Sequence, residues 1–213
     1  AHHSAAQSYH TIYEYFGVGK DGAKLLGVTA TPKRGDESPL GKIYQDCAYQ
    51  YAITDAIDDG YLVPVRQQAI KVEGIDFSNL RSVAGDFSEG ELEAILTREA
   101  CLHEFAKPIV EIAGDRQSLV FCAGVGHAKA LAEILNRYKP QCALALSGET
   151  HNKVRQDAVQ RFHHGELQIL CNCALFLEGF DAPRASVIVM GRPTKSLALY
   201  TQVLGRGTRT LPG

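Results

Sequence analysis

The chain has 213 residues, 45% of them hydrophobic and 22% charged, with a formal net charge of -2, a composition that suits one large or two small globular domains with a buried core. No run approaches the roughly eighteen apolar residues of a membrane span, and the opening AHHSAAQSYH lacks the basic and apolar regions of a secretory leader, so a cytoplasmic protein is expected. Near neutrality argues against a uniformly basic nucleic-acid coat, yet acids crowd residues 73–104 and cations dominate from 150 onward, where a surface suited to phosphates is expected.

In chain order, QSYHTIYEYFG (7–17) reads as a helix stopped by Gly17, and AKLLGV (23–28) as a buried strand that runs into the loop TATPKRGDESP. Residues 47–74 read as a strand, a short helix with Thr54 as candidate cap and Gly60 as its stop, and a long extended segment. The acid-rich stretch 75–100, with Gly85 and Gly90, reads as a loop followed by a helix.

Strands and helices then alternate. SLVFC (118–122) is a short apolar run, followed by a helix with Ala128, Leu131, Ala132, Leu135 and Tyr138 on one face and Pro140 beyond its end. CALALSG (142–148) is a strand, and Val154, Ala158 and Phe162 mark a helix that Gly165 stops. LQILCN (167–172) and SVIVMG (186–191) are strands, and SLALYTQVL (196–204) is a helix. This order predicts a parallel sheet with helices on both faces. One strand and one helix at the front cannot cover a sheet. Residues 1–66 are therefore expected to be the end of a domain, 67–104 a connector and 105–213 a complete α/β domain.

Six cysteines (Cys47, Cys101, Cys122, Cys142, Cys171 and Cys173) are scattered along the chain and predict buried thiols rather than a disulfide framework. No matching Cys or His pair stands at zinc spacing, so no metal site is expected. Ligands of open parallel sheets bind beyond the carboxyl ends of the strands. There the sequence places ALFLEGFDAP with Gly179 and Asp181, then GRPTKS (191–196), then QVLGRGTR (202–209). Gln202, Arg206 and Arg209, four and three residues apart, fall on one stripe of a helix. On these residues alone a solvated face near a helix end, where cations suit the dipole, is the favoured account of that stripe.

GVTATPKRGD (27–36), LVFC (119–122), SGET with the arginine and phenylalanine that follow it (Ser147 to Phe162), EGFDAP (178–183) and QVLGRGTR (202–209) together resemble the ordered motifs of superfamily 2 helicases. The resemblance is to the bacterial DEAD/DEAH-box type related to restriction-enzyme and excision-repair helicase subunits. It implies a complete C-terminal RecA-like lobe preceded by a truncated remnant of the N-terminal one, with ATP and Mg2+ in the cleft between lobes and nucleic acid, in particular DNA, across the top. Gln202, Arg206 and Arg209 then match the sixth motif. Its arginines reach the γ-phosphate from the opposite lobe, and Gly205 and Gly207 permit close approach. Gly179 and Asp181 match the ribose-binding motif. Thr29 and Thr31, which the family uses to couple nucleotide state to the other lobe, join Gly148 and Arg155 as expected nucleic-acid contacts. On the residues alone, Asp181 before Pro183 and the threonines before Pro32 are equally turn formers, and Arg155 is equally a helix-surface charge.

The sequence departs from the family in three places. It has no G-x-G-K-[ST] phosphate loop, and AHHS resembles the end of a D-E-A-H-H motif whose acids would hold the metal. The isolated chain is therefore expected to be inactive as an ATPase, ATP and Mg2+ being held in a full-length parent. Leu177 stands where many relatives carry a phosphate-binding threonine. The alternative function is a non-catalytic module that binds nucleic acid or protein.

Overall fold

The structure, a computed structural model, describes residues 4, 6–19, 22–29, 40–72, 75–83, 85–173, 175, 182 and 184–210. Helix α1 (Gln7–Tyr15) ends at Phe16 and Gly17, whose φ of +63° turns the chain as only glycine does readily. A single 3-10 turn, Leu40–Lys42, precedes α2 (Ile53–Asp58). The N-cap of α2 is Ala52 rather than Thr54, which lies inside the helix, and the Ala52 N–H donates to the Asp55 carboxylate at 3.2 Å. Gly60, at φ +80°, stops α2 as expected.

Two expected strands of the front part are absent. Residues 23–29 and 47–51 form no ladder, and Leu26, Val28 and Tyr49 are 86%, 82% and 78% exposed. An apolar run becomes a buried strand only between neighbours that take its N–H and C=O groups and helices that cover its faces. Among the described residues, 23–29 and 47–51 join no sheet, and the exposure of Leu26, Val28 and Tyr49 shows that no helix covers them.

A two-stranded antiparallel hairpin follows, β1 (Ser82–Val83) and β2 (Asp86–Phe87), and leads into α3 (Glu89–Leu96). Thr97 breaks the chain before α4 (Glu99–Ala113), a helix that no sequence signal announced: Pro108 sits inside it and Gly114 closes it at φ +57°. Then come β3 (Ser118–Phe121), α5 (Val125–Tyr138), β4 (Ala143–Leu146), α6 (Asn152–His164), β5 (Ile169–Asn172), β6 (Val187–Met190) and α7 (Leu197–Leu204). Gly165, at φ +81°, is the left-handed cap that ends α6.

The four strands β3 to β6 pair in parallel in the order β4-β5-β3-β6, the α/β RecA-like arrangement expected for this part of the chain. Strand alternation divides the core. Val120, Ile169 and Cys171 face α4 and α5, where Leu102, Ala106, Leu131 and Leu135 meet them. Leu119, Phe121 and Leu170 face the other way, onto Ala158 and Phe162 of α6 and Val203 of α7. A smaller cluster seats α3 on the same lobe, with Leu92 and Leu96 fully buried beside Ala123. The cysteines are free thiols, and Cys101, Cys122, Cys142 and Cys171 are buried, as expected. Among the described residues no helix is long and apolar enough to cross a membrane.

Candidate functional site

The carboxyl ends of β3, β5 and β6 open onto a cavity of about 570 Å³ roofed by the hairpin and lined by Phe87, Phe121, Cys173, Met190, Arg192 and Val203. Helix α7 leaves from this edge. Its N-cap is Ser196, whose hydroxyl accepts from the Leu199 N–H at 3.2 Å, and Thr194 Oγ1 accepts from the Ser196 N–H at 3.0 Å.

At its far end α7 stops at Leu204, so the expected stripe is only partly helical. Tight i to i-3 bonds carry the coil one turn further, from Arg206 N to Val203 O at 3.1 Å and from Gly207 N to Leu204 O at 3.0 Å. Arg206 Nε donates to the Gln202 carbonyl at 3.4 Å, which keeps these two residues together. Arg209 has already left the helix. Its backbone bridges Leu62 in antiparallel fashion, and the Val63 N–H donates to Thr208 O at 2.8 Å. Gly207 owes its identity to packing: a Cβ there would overlap the Ile188 side chain on β6, so the space expected for a ligand or facing lobe is filled by the sheet itself. Gln202, Arg206 and Arg209 are all half-buried.

The loop between β6 and α7 is held from outside by residues that the sequence did not single out. Asp86 accepts from Arg192 Nη2 at 3.1 Å, Thr194 Oγ1 at 2.7 Å and the Lys195 N–H at 2.8 Å. Arg192, nine-tenths buried, reaches Glu89 with its other arm at 3.1 Å. Burial works against ionisation of Asp86, but the Lys195 N–H, the Thr194 hydroxyl, the Phe87 N–H and the Arg192 charge outweigh it and hold the carboxyl below its usual range. Lys195 Nζ lies 4.5 Å above the Phe87 ring and 2.5 Å from Ser82 Oγ. The signal for this joint was the charge asymmetry itself, an acidic connector facing a basic second half.

A second acid of α3, Glu93, crosses to the start of α5 and accepts from the N–H groups of Gly126 at 2.5 Å and His127 at 3.1 Å. A carboxylate suits that end of the helix dipole, and a Cβ on Gly124 would overlap it. His127 is fully buried behind it, its Nδ1 accepting from the Ala123 N–H at 3.2 Å. Burial drives its pKa down to about 4 against the opposing pull of Glu93.

The remaining expected residues lie elsewhere. Gly148 and Arg155 follow β4, one edge strand, whereas Gln202 lies on α7 and Arg206 in the turn just after it, both following β6, the other edge. Gly148 is exposed with open space above it, and Arg155 Nη2 donates to Asn152 Oδ1 at 2.5 Å. Thr29 is half-buried in the irregular front segment. Thr31, Leu177, Gly179 and Asp181 lie outside the described residues. Among the described residues no three His, Cys, Asp or Glu side chains converge where they could hold a metal ion.

Comparison with known proteins agrees with the fold. A sequence model described as the helicase conserved C-terminal domain matches residues 98–210. A Saccharomyces cerevisiae protein named as the ATP-dependent helicase IRC3 is 29% identical over 98% of this chain and 31% of its own length. A Schizosaccharomyces pombe protein named as the mitochondrial ATP-dependent helicase irc3 is 31% identical over 100% of this chain and 35% of its own length. The chain thus spans about a third of these relatives. A solved structure, described as a fragment of an HsdR subunit of a type I restriction enzyme from Vibrio vulnificus YJ016, superposes with a TM-score of 0.73 at 26% identity, covering 97% of this chain and 40% of that one.

Proposed function

Because the chain belongs to the helicase conserved C-terminal domain family, within superfamily 2 of the helicases, we propose that it serves as the second lobe of an ATP-dependent motor acting on nucleic acid, DNA in the first instance. Arg206 and Arg209 reach the γ-phosphate of an ATP held by a facing lobe, and Gln202 orders the turn that carries them. The observation that carries this reading is the tight turn after α7, which holds Arg206 against the Gln202 carbonyl at the edge of a parallel sheet. A guanidinium keeps its charge at any working pH and meets phosphate oxygens in a planar fork, so it stabilises the charge that builds up as the phosphoryl group transfers.

Gly148 and Arg155, at the other sheet edge, grip the strand's phosphates, and Thr29 and Thr31 relay the nucleotide state. Gly179 and Asp181 take the ribose. The 213 residues contain no G-x-G-K-[ST] string, and on this reading the isolated chain turns over no ATP. Bound Mg2+ would neutralise phosphate charge during transfer. The test is strand-stimulated ATP turnover by the full polypeptide that the gene encodes. Arg206→Ala lowers kcat by about 10³-fold or more while nucleotide binding stays within a few-fold. Turnover unchanged in both Arg206→Ala and Arg209→Ala refutes the assignment.

A further inference from the structure

The residues from Leu62 to Phe87 touch the arginine-bearing element at both of its ends. At the far end, the Val63 N–H and Leu62 pair with Thr208 and Arg209. At the near end, Asp86 collects Arg192, Thr194 and the Lys195 N–H. From Asp86 the contacts run on without interruption, Thr194 Oγ1 to Ser196 N and Ser196 Oγ to Leu199 N, into the first turn of α7. Asp86 is therefore the only side chain among the described residues that is bonded at once to the hairpin's own backbone, at Phe87 N, and to three donors of the loop that launches α7.

We propose that Asp86 is a positioning residue for Arg206: by fixing the first turn of α7 against the hairpin, it sets where the other end of the helix presents the guanidinium. The inference rests on the reading of Arg206 given above. An eight-residue helix is a rod about 12 Å long, so a tilt at its start displaces its end by a comparable fraction of that length. A misplacement of about 1 Å at a reacting group costs up to about 10²-fold in rate. Substituting Asn leaves one acceptor oxygen and turns an amide N–H toward donors, so at least one of the three loop contacts is lost.

The proposal is tested on the full polypeptide by measuring kcat and the KM for ATP at saturating single strand. Asp86→Asn and Thr194→Val each lower kcat by about ten- to a hundredfold with KM within about twofold. In an Arg206→Ala background Asp86→Asn adds less than about a twofold loss, because it acts only through the residue already removed. A full kcat in Asp86→Asn alongside an impaired Arg206→Ala overturns the positioning role, as does a multiplicative loss in the double variant. Unchanged kcat in Arg206→Ala alone overturns instead the reading on which the inference rests. Should Asp86→Asn fail to fold, Thr194→Val carries the same comparisons with the ion pair intact.

Discussion

His127 is a titratable group buried where water does not reach it, and, among the described residues, its Nε2 has no hydrogen-bond partner. The folded chain holds it neutral down to about pH 4, whereas an unfolded chain protonates it near 6.5. Between those values the unfolded state binds the extra proton. The contribution to stability is thus fully present above about pH 6.5 and is lost as pH falls toward 4, by about 3 kcal/mol. Urea unfolding at pH 7.5 and 4.5 checks this: His127→Gln loses less stability over that interval than the parent chain does. None of this was legible from a single histidine in GHAKALAEIL. A buried ring and a solvated one look alike until the Glu93 side chain and the Phe105 ring, 5.9 Å away centroid to centroid, are in place. The meeting of Asp86 with Arg192 is not legible in the sequence for a similar reason. They stand 106 residues apart, and only the opposed charge of their two regions hinted at a meeting.

At the scale of elements, the apolar period of a helix is legible in part, Tyr138 and Val154 being 43% and 52% exposed on the expected faces, and strand pairing is not. Leu131 and Leu135 on α5, and Ala158 and Phe162 on α6, are buried where the apolar period put them. The same period cannot say whether AKLLGV has neighbours, and Pro108 masks α4, a helix that packing supports. Packing also relies on one polar fastener that propensity does not announce. Asn136 Nδ2 donates to Ala143 O and its Oδ1 accepts from Ala143 N, both at 2.9 Å, tying the last turn of α5 to the start of β4. Asn136→Ala leaves that backbone pair without a partner and lowers the unfolding free energy by about 1–3 kcal/mol. The denaturant midpoint shifts while the m-value stays constant.

For the whole molecule, the net charge of -2 hides a pairing of opposites. Asp86 and Glu89 meet the buried Arg192 directly, so one cation of the basic half is engaged inside the protein. The strand contact proposed above is Arg155, whose guanidinium donates to Asn152 Oδ1 at 2.5 Å. Its role is checked by anisotropy with labelled single-stranded DNA and RNA between 50 and 200 mM salt: Arg155→Ala weakens binding without regard to sequence and flattens the log–log salt slope by about 0.7. An unaltered slope assigns Arg155 to the helix surface alone.

The double attachment of α7 has a mechanical consequence. A rod pinned at one end swings freely, but one pinned at both ends to the same length of chain must travel with it. On the proposal above, a shift of Asp86 at one end, or of Leu62 and Val63 at the other, carries the guanidinium along as a crank carries its pin.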